Sequence, residues 1–135
     1  MKINSINTNT NFNKPNFKAT LKINKVIDDL YSVTDNHNKD LFQKHINLFS
    51  QVAKNDIVEL KKVDNKNIEE YNLVNINKPD KKVHVCSLFK CVKGEEDNRS
   101  DFHKLQSKME FIRESLIETM QEASKENSTM FRSLF

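Results

Sequence analysis

The segment VHVCSLFKCV, residues 83–92, holds both cysteines of the chain and one of its four histidines. On a regular strand, His84 and Cys86 would lie on the same face, about 7 Å apart. A zinc ion bound there would need two further ligands, for which His45 and His103 are candidates. A thiol beside an imidazole could also form the nucleophile and base of a small enzyme. These two kinds of chemistry are what the segment could support.

The spacing of the same residues argues against both the zinc site and the thiol nucleophile. Cys86 and Cys91 would point to opposite faces with Cα atoms about 17 Å apart, whereas a disulfide needs them within about 7 Å. The spacing also differs from the C-x2-C pattern of redox and zinc motifs. Buried cysteines usually behave as small apolar core residues. We therefore interpret the segment as a strand and predict a non-catalytic protein with no catalytic residue, cofactor or metal.

The chain contains one glycine, which narrows the function classes further. Phosphate-binding and dinucleotide-binding loops need several residues without a side chain, so most nucleotide-using enzymes are excluded. No apolar run approaches the roughly 18 to 20 residues that span a bilayer, and the N-terminus lacks the apolar region of a secretory signal. Two cysteines are too few for a disulfide framework. We expect a cytoplasmic protein without a membrane span.

The first half of the chain predicts one strand and two helices. FKATLKI, residues 17–23, alternates apolar and polar side chains, which is typical of a half-buried strand. NKVIDDLYSVT then has apolar residues at helical spacing. Asn38 is the expected N-cap of a second helix that ends near Asn55. One apolar stripe is expected on this helix, made of Leu41, Phe42, His45, Ile46, Phe49, Val52 and Ala53.

Three strands and a long helix are predicted next. The strands cover residues 56–63, 69–76 and 82–92, and their short turn-rich separators favour an antiparallel meander. Because the third is apolar on both faces, we expect it to be central. Ser100 is a good N-cap for the long helix, whose apolar stripe is the clearest in the chain. Its C-terminal half is expected to overhang the sheet.

This order defines an α+β fold with a single mostly antiparallel sheet: a strand, a helical region, a three-stranded meander and a long C-terminal helix, with the helices packed on the sheet. Residues 1–16 are predicted to be a flexible Asn-rich leader and residues 17–126 a single domain. Residues 127–135 form an apolar C-terminal tail, which either folds back onto its own core or docks on another subunit or partner.

The overhanging helix and the tail favour a protein–protein interaction module, most simply a homodimer that self-associates through these two segments. The candidate interface residues are Ile112, Leu116, Met120, Met130, Phe131, Leu134 and Phe135.

Sequence-independent nucleic-acid binding is the alternative, since lysines crowd the N-terminal arm and the hairpin turns. The candidate contacts are Lys18, Lys22, Lys61, Lys62, Lys81 and Lys82. Against this alternative, the chain has only three arginines, the residue type that reads base edges bidentately, and a net charge of only +3. A solvated lysine face explains the same residues.

Overall fold

The computed structural model describes residues 20–22, 24–53, 56–90 and 101–135, and the predicted α+β class is confirmed. The elements are β1 (Thr20–Leu21), α1 (Lys25–Ser32), α2 (Asn36–Ala53), β2 (Ile57–Asp64), β3 (Ile68–Asn75), β4 (Lys82–Phe89), α3 (Asp101–Ala123) and α4 (Thr129–Leu134). The leader predicted over residues 1–16 lies outside the described residues, as do Ser100 and Cys91.

The strands form one sheet in the order β1-β2-β3-β4. β1 pairs parallel to β2, and the two later pairs are antiparallel, so the predicted meander is confirmed. Within the described sheet β4 lies at one end of this order, and the prediction that it is central is wrong. The apolar pattern of β4 was misleading because one of its apolar residues, Phe89, is 86% exposed rather than covered by another element.

A β-bulge in β4 changes which side chains share a face. Tyr71 pairs with Cys86, but the next residue, Asn72, pairs with His84, so Val85 is the additional residue. Cys86 therefore faces the core beside the buried Tyr71, while His84 points to the other face of the sheet. The expectation that His84 and Cys86 share a face is wrong, because it assumed strict alternation along a regular strand.

Helix α2 begins earlier than the sequence predicted. The carboxylate of Asp35 accepts a 2.9 Å hydrogen bond from the backbone N–H of Asn38, as an N-cap side chain does. Asn38 is thus inside the helix, and the N-cap predicted there is wrong. The helix buries Phe42, Ile46 and Phe49 against the core.

The long helix α3 is anchored by its C-terminal half. Ile112, Leu116 and Met120 are at most 1% exposed, whereas Phe102, near its start, is 62% exposed. The expected overhang of the C-terminal half is therefore wrong. α3 packs on α2, on β4 and on α4, the short helix that the tail forms and that places Leu134 in the core.

A buried amide helps to hold the tail in place. Asn75 is fully buried at the end of β3, and its Nδ2 donates to the carbonyl of Leu134 at 2.9 Å and to the carboxylate of Asp56 at 3.1 Å. The hydroxyl of Ser128 caps α4 by accepting from the N–H of Phe131. The tail thus packs on its own chain.

Among the described helices, none is long and apolar enough to cross a membrane.

Candidate functional site

Four of the seven predicted interface residues are core residues. Ile112, Leu116, Met120 and Leu134 are at most 1% exposed. Their side chains are covered by the chain itself, so they form no part of the surface of the folded chain. An interface through them would require these side chains to become exposed first, and that form of association stays a prediction.

The other three predicted interface residues are half-buried on the same core. Met130 and Phe135 pack against the buried cluster, and the rings of Phe131 and Phe135 lie 5.2 Å apart. Two lysines hold the tail from the β3–β4 turn: Lys78 Nζ donates to the Phe135 carbonyl at 2.8 Å, and Lys81 Nζ to the Arg132 carbonyl at 3.0 Å. The tail therefore offers a partner less apolar surface than its sequence suggests.

The lysines of the alternative function are partly engaged within the chain. Lys22 lies 3.9 Å from the carboxylate of Glu59, and Lys62 lies 3.5 Å from that of Glu69. Ion pairs of this kind reduce the positive field that a phosphate backbone would meet.

The remaining lysines proposed to contact nucleic acid differ in their surroundings. Lys81 binds the Arg132 carbonyl, Lys61 and Lys82 are exposed, and Lys18 lies outside the described residues. Nucleic-acid binding stays a prediction.

A second apolar face of α2 remains at the surface. It consists of Leu41, His45, Leu48 and Val52, which we call the α2 seam. Leu41 and Leu48 are 43% and 46% exposed, and the other two are half-buried. The 4-3-4 spacing is that of the contact line between two coiled helices.

The sequence analysis predicted a single apolar stripe that combined residues of the α2 seam with the core face of α2. Since each residue turns the helix by about 100°, Leu41 and Phe42 cannot both point at the centre of one core. The predicted stripe was too wide for one contact surface, and its width is the feature of the sequence from which a second face of α2 could have been inferred. Leu48, which completes the seam, was absent from the predicted stripe.

A polar network lies on the face of the sheet that carries His84. Ser87 Oγ is 3.3 Å from His84 Nε2, and His84 Nδ1 is 3.3 Å from Asn72 Oδ1. Asn72 Nδ2 donates to Glu70 at 3.0 Å, and the same carboxylate oxygen lies 3.7 Å from His84 Nδ1. The four side chains form a continuous chain of polar contacts across β3 and β4. Asn72 is buried, while His84 and Ser87 are exposed.

The network was not predicted because it depends on register. The bulge at Val85 places His84 opposite Asn72 and brings Ser87 opposite Glu70. Nothing in the separate segments EEYNLVNI and KVHVCSLFKCV specifies that pairing. The segment singled out for its chemistry does contain a network of polar contacts, which runs through Ser87 and His84 rather than through a cysteine.

Cys86 is a buried thiol on the core side of β4. Burial raises its pKa, which a hydrogen bond with Ser115 only partly opposes. A raised pKa leaves less of the reactive thiolate. With His84 on the opposite face, the paired nucleophile and base considered for these two residues is not present.

The zinc site considered for His84 and Cys86 is not assembled either. In the described ranges no three histidine, cysteine or acidic side chains are grouped so that they could hold a metal ion. His45 is on α2 and His103 on α3, and His84 Nδ1 faces Asn72 instead.

No protein-family model, curated protein or solved structure matches the chain. The comparisons therefore assign it to no catalytic or binding family, and a function can be inferred only from the physical arrangement of its side chains.

Proposed function

We propose that the protein is a protein–protein interaction module that self-associates through the α2 seam. The observation that supports this is the pair Leu41 and Leu48, seven residues apart on one line of α2 and each more than two fifths exposed. His45 and Val52 complete the line at the spacing with which helices pair side by side. The partner we propose is a second copy of this chain.

A second copy suits the seam because the same surface can serve both subunits about a two-fold axis. Two α2 helices packed along this line would approach to about 8 to 10 Å between axes. The apolar side chains of each seam would then be removed from water, at about 25 cal/mol per Å² of apolar area. His45 in the middle of the line adds a polar group that favours one register over others.

The length of the seam limits the strength of the contact. From Leu41 to Val52 the helix rises by roughly 16 Å, about three turns. A seam of this size covers less than the roughly 800 Å² per partner that specific complexes commonly bury. We therefore expect weak association, in the micromolar range, with a homodimer that forms reversibly with concentration.

Sedimentation equilibrium of the full chain tests the proposal. Between about 5 and 500 µM, the range that a micromolar dissociation constant requires, the average mass should rise from one chain toward two. A mass that stays at one chain throughout contradicts the proposal. Growth beyond two chains without a plateau also contradicts it, since a two-fold contact closes on itself.

A further inference from the structure

We propose that Ser87 is an activated nucleophile, with His84 as its general base, and that it accepts acyl groups from activated esters. The assignment is independent of the α2 seam. It rests on the polar network of Ser87, His84, Asn72 and Glu70, in which a hydroxyl, an imidazole and an orienting amide follow one another at hydrogen-bond distance. A nucleophile, its base and a third group that orients the base are the arrangement that such reactions use.

The contacts of His84 favour one direction of proton transfer. Asn72 donates through Nδ2 to Glu70, so its Oδ1 is the atom that faces His84. An amide oxygen can only accept, so a hydrogen bond at this contact calls for the tautomer of His84 that has its proton on Nδ1. His84 Nε2 then presents its lone pair to the Ser87 hydroxyl, 3.3 Å away. This is the tautomer that a general base acting on Ser87 must have.

The surroundings support both access and stabilisation of charge. Ser87 and His84 are exposed, so a substrate can reach the hydroxyl from solvent. Asn72 is only 7% exposed, so the amide that faces the imidazole is itself held in a buried position. When His84 takes up a proton, the Glu70 carboxylate 3.7 Å from Nδ1 stabilises the resulting cation.

The reaction balances without a further reagent. Ser87 Oγ bonds to the carbonyl carbon of the ester, and its proton passes to His84 Nε2. The bond from that carbon to the leaving oxygen breaks, and the departing alkoxide takes the proton from His84 and leaves as the alcohol. Water then bonds to the same carbon and gives a proton to His84; the bond from the carbon to Oγ breaks, the proton returns to Oγ, and the acyl group leaves as a carboxylic acid. Activated esters are the proposed class because their weakly basic leaving groups need the least assistance.

Labelling with a fluorophosphonate tests the assignment on the full chain. In this reaction Ser87 Oγ bonds to phosphorus, fluoride leaves, and the serine proton passes through His84 to solvent. Peptide mass spectrometry should place the adduct on Ser87. The rate should be at least about tenfold above that of Ser32, an exposed serine whose hydroxyl donates to a backbone carbonyl instead of a base.

Two histidine variants complete the test. His84→Gln should lower Ser87 labelling to the rate of Ser32, whereas His37→Gln, at an exposed position on α2, should leave it unchanged. Both changes are at exposed side chains, and circular dichroism checks that the fold persists. Labelling of Ser87 no faster than of Ser32 in the unaltered chain overturns the proposal. So does undiminished labelling in His84→Gln, or an equal loss in His37→Gln.

Discussion

Arg113 Nη1 of α3 donates a 3.0 Å hydrogen bond to the hydroxyl oxygen of Thr34, and both residues are buried. The Thr34 hydroxyl in turn donates its own proton to the carbonyl of Leu30. Thr34 thus links Leu30, near the end of α1, to Arg113 in the middle of α3, which is 79 positions from Thr34 in the sequence. A buried guanidinium depends on such an acceptor, since an unpaired buried charge is costly.

Replacing Thr34 by valine should therefore destabilise the fold, although the valine side chain has nearly the same shape as that of threonine. Thr34→Val leaves the guanidinium of Arg113 without this acceptor, and the expected loss is about 2 to 3 kcal/mol in the free energy of unfolding. Urea denaturation measures it. Thr34→Ser is the matched control: it keeps the hydroxyl and loses one methyl group, for about 1 kcal/mol. Equal losses in both variants would show that packing, not the hydrogen bond, is what Thr34 contributes.

Cys86 should react slowly with a thiol reagent. Its burial raises the pKa of the thiol and also blocks access, so the folded chain presents little thiolate. In a Cys91→Ser background, which leaves one thiol, a chromogenic disulfide should react more slowly with the folded chain than with the same chain in denaturant. Equal rates in the two conditions would contradict the placement of Cys86 in the core.

Glu69 should make part of the stability depend on acid pH. Partial burial opposes ionisation of its carboxyl, but Lys108, with Nζ 2.7 Å away, acts together with Lys62 and the Tyr71 hydroxyl to lower the pKa overall. A lowered pKa in the folded state gives stability that is present above the ordinary carboxyl pKa and is lost as pH falls through the lowered value. The free energy of unfolding should thus decrease as pH falls from about 5 to 3.

The Lys108→Met variant should show a shallower decrease over the same range, measured by urea denaturation at each pH. Lys125→Met is the control, because it removes an exposed pair with Glu122, and such pairs contribute little. Its profile should keep the slope of the unaltered chain. If Lys108→Met keeps that slope too, the pair with Glu69 is not the source of the dependence.

The helices α1 to α3 and the three strands of the meander were predictable from the sequence because each has a local periodic signal, whereas α4 was not predicted. The three strands of the meander begin and end within a few residues of their predicted bounds, and α3 lies within the segment predicted to be a long helix. The sheet order of β4 was not predictable in the same way. Its two apolar faces resemble those of a central strand, and only the bulge at Val85 separates Cys86 from His84.

The candidate sites depended on tertiary contacts and were harder to predict. Leu134 and Met120 resemble surface apolar residues until the tail is placed over α3, which requires the hydrogen bond from Asn75, 59 positions away. The network of Ser87 and His84 needs the cross-strand register. In both cases the decisive partner is distant in sequence, where periodicity carries no information.

The α2 seam is tested most directly by sedimentation equilibrium of two matched variants. The double variant Leu41→Glu and Leu48→Glu places charges on the seam, whereas Leu105→Glu places one at a leucine of α3 with a similar exposed fraction, 44%. We expect the double variant to remain a single chain up to about 500 µM, while Leu105→Glu dimerises as the unaltered chain does. Dimerisation of the double variant with unchanged affinity would contradict self-association through the seam.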